Sequence, residues 1–104
     1  MSKSITPQEL RNQLSGTEPP TLIDVRRRTD YEASDQIAGA IRRDPEEIEN
    51  WSKDLPTDTP TVVYCVRGGS VSQGVAEQLK QMGIQAVFLE GGLKAWKENG
   101  SNTP

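Results

Sequence analysis

The chain contains no histidine and a single cysteine, Cys65. The first absence removes a Ser-His-Asp triad, a Cys-His dyad and every histidine-ligated zinc site. The second removes an internal disulfide, a Cys-rich metal site and a disulfide-exchange enzyme carrying its own resolving thiol. No metal or other cofactor is expected. Hydrophobic residues make up only 33% of the 104 positions and aromatics 5%, so the core must be small. No stretch approaches the roughly 18 apolar residues of a membrane span. Met1 to Ile5 carries no apolar run of the kind a leader needs. A lone free thiol suits a reducing compartment, so a cytoplasmic location without a membrane partner is expected. The 12 basic residues are outnumbered by 15 acidic ones, for a net charge of −3. That balance speaks against nucleic acid as the main partner, because phosphate binding needs a basic footprint.

What is present reads as one α/β domain, with its core at about residues 6–100 and a frayed tail at 101–104. Thr6-Pro7-Gln8-Glu9 is a helix start: Thr6 caps, Pro7 suits the first helical position and Glu9 completes a capping box. Leu10 and Leu14 follow on one face, and Gly16 with Pro19-Pro20 ends the helix. Thr21 to Val25, Ile37 to Ile41, Thr61 to Tyr64 and Ala86 to Leu89 are short apolar runs that predict buried strands. Between them, helices are expected at Thr29–Ala33, at Pro45–Trp51 with Ile48 and Trp51 facing the core, and after Ser70. The last of these carries Val75, Leu79 and Met82 as one stripe, and Gly83 as its stop. Gly91-Gly92 turns the chain into a final helix, Leu93 to Asn99. Strands alternating with helices imply a central, mainly parallel sheet flanked by helices on both faces. In such sheets functional loops sit at the carboxyl ends of strands.

Cys65 lies just past the clearest strand and opens the loop Cys65-Val66-Arg67-Gly68-Gly69-Ser70, which runs directly into a helix. Taken alone, a cysteine is more often a small buried hydrophobe than a nucleophile. The setting changes that balance. A strand, a glycine-containing loop and a helix can curl backbone N–H groups around one point, reinforced by the positive end of the helix. A sulfur at that point is held as thiolate, so the nucleophile needs no general base. Ser70 and Ser72 can add hydroxyl donors, and Arg67 a positive charge for an anionic substrate. Arg26 follows its strand near the same sheet edge. It suits either an ion pair with Asp24 or Glu32, or a substrate contact.

The loop resembles the active loop of rhodanese domains, Cys-x-x-Gly-x-Ser/Thr. Leu22-Ile23-Asp24-Val25-Arg26 with Tyr31-Glu32, Gln36-Ile37-Ala38-Gly39-Ala40-Ile41, and Leu89-Glu90-Gly91-Gly92-Leu93-Lys94-Ala95-Trp96 are similar to three further motifs of that family, in the family's order. Gln36 stands where the family commonly has histidine and Ala38 where it commonly has proline, and neither position carries the sulfur chemistry. The resemblance implies a thiosulfate-type sulfurtransferase. Cys65 would take the outer sulfur of thiosulfate as a persulfide, cradled by Val66, Arg67, Gly68, Gly69 and Ser70. It would pass that sulfur to cyanide or to a thiol, such as glutathione or a thioredoxin-like protein. Tyr64-Cys65-Val66, Gly68 and Val71-Ser72-Gln73 also resemble rhodanese domains among chromate-resistance proteins.

Two rivals stand beside that reading. A phosphatase or arsenate reductase of this fold type has an arginine six positions after the cysteine, where this chain has Val71. A silent binding or regulatory module usually lacks the cysteine, and Cys65 is present.

Overall fold

The computed structural model describes residues 3–17, 19–26, 37, 39–55, 57–67 and 69–100, with side chains as far as residue 98. The helix expected at Thr29–Ala33 lies outside the described residues, as do Gln36, Ala38, Gly68 and the tail at 101–104.

Five strands form one parallel sheet: β1 (Lys3–Ile5), β2 (Thr21–Asp24), β3 (Ile41–Arg42), β4 (Thr61–Tyr64) and β5 (Ala86–Leu89), in the order β1-β5-β4-β2-β3. Strand β4 sits at the centre because every one of its residues can be buried. Thr61, Val62, Val63 and Tyr64 are all fully inaccessible, the continuous pattern of a strand covered on both faces. Its side chains alternate between two cores. Val63 and Cys65 pack on one face with Ile23, Val25 and Leu79, whereas Val62 and Tyr64 pack on the other with Leu10, Leu22 and Leu89.

Helix α1 (Pro7–Leu14) begins at the capping box that the sequence predicts. The Glu9 N–H donates to Thr6 Oγ1 at 3.1 Å, and the Thr6 N–H donates to Glu9 Oε1 at 3.0 Å. Those bonds from the Thr6 backbone and then its hydroxyl hold the Glu9 carboxyl below its usual range. Helix α3 (Ser70–Gln81) presents Ser72, Val75, Ala76 and Leu79 to the core, but Met82 is 44% exposed rather than part of that stripe. The helix stops before it. Gly83 takes φ +87°, its N–H donates to the Lys80 carbonyl, and the Ile84 N–H donates to the Leu79 carbonyl. This Schellman ending folds Ile84 back onto Leu79, so Ile84 fills the place expected of Met82. Helix α4 (Gly92–Gly100) closes the chain on the α1 side of the sheet.

Two expected elements differ. Of the described residues in the run Ile37 to Ile41, only Ile41 is strand: Gly39 has φ +87°, the Ala40 N–H bonds the Ile37 carbonyl, and Ile41 and Arg42 pair with β2. Pro45 to Trp51 is not one helix either. It divides into a 3-10 turn (Pro45–Glu47) and the short helix α2 (Ile48–Trp51), followed by a second 3-10 turn (Ser52–Asp54). The Trp51 indole N–H reaches back to the Asp44 carbonyl at 2.7 Å and draws the segment into a tight curl. Ile48 and Trp51 are buried as expected.

Candidate active site

Cys65 follows β4 directly, at the carboxyl edge of the sheet, and is 7% exposed. Its cavity, of about 410 Å³, is lined by Arg26, Cys65, Val66, Arg67, Gly69, Ser70 and Val71. A larger cavity of about 620 Å³ lies at the opposite ends of the strands, around Lys3, Gln85 and Ala86, away from Cys65. Helix α3 opens on the Cys65 cavity with Gly69 as its N-cap and no side-chain capping bond. Its first-turn N–H groups lack intrahelical acceptors and carry the positive end of the helix. The Cys65 sulfur lies 3.1 Å from Ser72 Oγ, within that first turn.

The predicted loop residues thus come together, with Gly68 outside the described residues. Gly69 departs from its expected role. Its φ of −87° is open to any residue, and a side chain there would meet nothing within 4 Å. Its contribution is to leave the mouth uncovered.

The loop is also held from below. The Leu93 N–H donates to the Cys65 carbonyl at 2.8 Å and the Lys94 N–H donates to the Val66 carbonyl at 2.9 Å. The first turn of α4 therefore ties down two loop carbonyls. The Gly91-Gly92 turn sets α4 in that position, with φ of +73° and +59°. A side chain on Gly91 would collide with the Ala95 methyl. Sequence reading found the turn but not its purpose, because the contact spans nearly thirty positions.

Arg26 forms the expected ion pair with Asp24. It is 1% exposed and paired with the fully buried Asp24. Arg26 Nε lies 3.0 and 2.9 Å from the two carboxylate oxygens and Nη2 lies 2.7 Å from Oδ2. The Arg26 backbone N–H bonds Asp24 Oδ1 at 2.9 Å, and the Tyr64 hydroxyl donates to Oδ2 at 2.8 Å. Tyr64 in turn accepts the Ile37 N–H at 3.1 Å. Arg26 thus reaches the cavity as a cation already clamped by Asp24, while Glu32 lies outside the described residues.

Burial pushes the Tyr64 phenol well above its ordinary value, with the Asp24 carboxylate adding to the rise. A raised value means the fold favours the neutral phenol. That stability is intact below about pH 10, the ordinary tyrosine value, and is lost as pH rises beyond it. Tyr64→Phe should flatten this alkaline decline and cost about 1–3 kcal/mol at neutral pH. Urea unfolding across a pH series measures both. An unchanged alkaline slope in the variant would remove Tyr64 from the account.

A parallel α/β domain places its one thiol between a central strand and a helix N-terminus that has no side-chain cap. Comparison with known proteins places that arrangement within one family. Residues 6–99 match the model of the rhodanese-like domain, and the chain belongs to the rhodanese-like family. The thiosulfate sulfurtransferase GlpE of Coxiella burnetii is 35% identical over 77 residues, covering 73% of this chain and 70% of that protein. The tRNA sulfurtransferase of Desulfurococcus amylolyticus is 37% identical over 76 residues, 73% of this chain but 14% of that protein. Among solved structures, a rhodanese-like domain protein of Staphylococcus aureus superposes with a TM-score of 0.82 at 33% identity, covering 94% of each chain. At the level of the family the chain is a sulfurtransferase.

Proposed function

We propose that the chain moves sulfane sulfur from thiosulfate to a thiol through a persulfide on Cys65. The Cys65 thiolate attacks the outer sulfur of thiosulfate. A Cys65 S–S bond forms as the donor S–S bond breaks, and sulfite leaves with the electron pair of that bond. An acceptor thiolate or cyanide then attacks the outer sulfur of the persulfide and restores the Cys65 thiolate. Glutathione or a thioredoxin-like protein would serve as the cellular acceptor, in keeping with a reducing cytoplasm.

The observation that carries this reading is the placement of the Cys65 sulfur in a cavity shared with Arg26, Arg67 and the N-terminus of α3. Thiosulfate is a small dianion, and an uncapped helix start with the exposed Arg67 beside it suits it. The names of the curated relatives support the same chemistry. The loop holds no arginine six positions after the cysteine, where Val71 stands, which disfavours the phosphatase reading.

Arg67 is exposed at the rim of this cavity. Its role is tested by steady-state kinetics of Arg67→Ala with thiosulfate and cyanide. The expected result is a KM for thiosulfate raised roughly 5- to 20-fold with turnover changed less, the pattern of lost uniform binding. An unchanged KM would make Arg67 a solvated bystander.

A further inference from the structure

Helix α3 turns four residues toward the core: Ser72, Val75, Ala76 and Leu79. Three are apolar, and the fourth carries a hydroxyl at a position that is 0% exposed. Burying a hydroxyl is costly unless it is hydrogen-bonded. Among the described residues, Ser72 Oγ contacts the Cys65 sulfur at 3.1 Å and the Gly69 carbonyl at 3.5 Å. The carbonyl contact is long, and a neutral thiol is a weak partner. A thiolate is a far stronger acceptor than either. The buried hydroxyl is therefore well satisfied only when Cys65 is charged.

We infer that the Ser72 hydroxyl is a rotor that stabilises the anionic form of Cys65, a role that rests on and deepens the sulfurtransferase reading. In the neutral state the Cys65 S–H donates to Ser72 Oγ and the Ser72 O–H points to the Gly69 carbonyl. When Cys65 loses its proton to solvent, the Ser72 O–H turns and donates to the sulfur. In the persulfide the charge moves to the outer sulfur, so the role of Ser72 belongs to the free thiolate. The side chain of a first-turn helical residue leans toward the helix N-terminus, which is why position 72 can reach back to Cys65. Ser70, although closer in sequence, lies exposed at the rim.

Among the described residues, the other charged groups that face Cys65 are few. Arg67 comes from the loop, Arg26 from the end of β2 with Asp24 clamped behind it, and α3 has no acidic residue in its first turn. Lys94 of α4 meets the loop through its backbone N–H. None of these is altered when the Ser72 hydroxyl is removed.

The test is the rate of Cys65 alkylation by iodoacetamide as a function of pH, for the parent chain and Ser72→Ala. Alanine is the best helix former, so the variant is expected to fold, and its urea midpoint checks this. The expected result is a profile midpoint about one pH unit higher in Ser72→Ala, seen as a roughly tenfold slower alkylation below the midpoint. Superimposable profiles from two folded proteins would overturn the inference. The assay requires no sulfur transfer. A shifted midpoint in a chain that takes no sulfur from thiosulfate would uphold the Ser72 role and defeat the sulfurtransferase reading. Normal sulfur loading with an unmoved midpoint would do the reverse.

Discussion

Cys65→Ser should reduce sulfur transfer by roughly 10³-fold or more while the chain still folds. A serine hydroxyl at the same place is a far poorer nucleophile toward sulfur, and the chain has no histidine to deprotonate it. Stability is expected to change by no more than about 1 kcal/mol, because the two side chains are similar in size and Ser72 Oγ remains within reach as a partner. Cys65→Ala should lose activity to the same extent. Turnover above a few per cent of the parent in either variant would exclude a covalent intermediate on Cys65. Unfolding of the serine variant, by contrast, would show that Cys65 carries more of the core than its position at the cavity floor implies.

The second large effect is expected at Asp24. Its carboxylate accepts from the Arg26 side chain, the Arg26 backbone and the Tyr64 hydroxyl, all of it buried. Asp24→Ala leaves the guanidinium in the interior without its counter-charge, which typically costs about 3–5 kcal/mol. Against the 5–15 kcal/mol of a typical domain that is a large share. For a chain of this length it corresponds to a fall in Tm of roughly 15–30 °C. Circular dichroism melting reads the change directly. Sulfur transfer should fall as well, because Arg26 forms part of the cavity wall. A Tm within a few degrees of the parent would mean that the Asp24–Arg26 pair contributes little and that Arg26 is held by other contacts.

The parts of the fold legible in the sequence are those whose burial leaves a continuous apolar mark. Strands β2, β4 and β5 are such runs, and Thr6 with Glu9 announces α1 through its capping chemistry. Strand β1 leaves no such mark, because Lys3 and Ser4 are exposed and only Ile5 is buried. Its strand character comes from pairing with Val87, Phe88 and Leu89 of β5, a contact that no local pattern encodes. The opposite error arose at Ile37 to Ile41. Ile37 and Ala40 are buried, as an apolar run implies, but they are buried in a turn around Gly39. Composition reports burial there and says nothing of hydrogen-bond direction.

The site divides in the same way. Cys65 was found because a strand end and a following helix place it at the edge where such sheets are open. The clamp from α4 onto the Cys65 and Val66 carbonyls was not found, since it depends on where a distant helix docks. Of the two readings of Arg26, the ion pair with Asp24 is what the structure shows, and Arg26 also lines the Cys65 cavity.

The central claim is that Cys65 itself carries the sulfur, and intact-mass spectrometry of the purified chain tests it most directly. The account predicts a gain of about 32 Da after thiosulfate, located on Cys65 by peptide mapping and removed by cyanide. No adduct, with thiosulfate or with other sulfane donors, would contradict it and would leave the rhodanese-like fold here as a binding module.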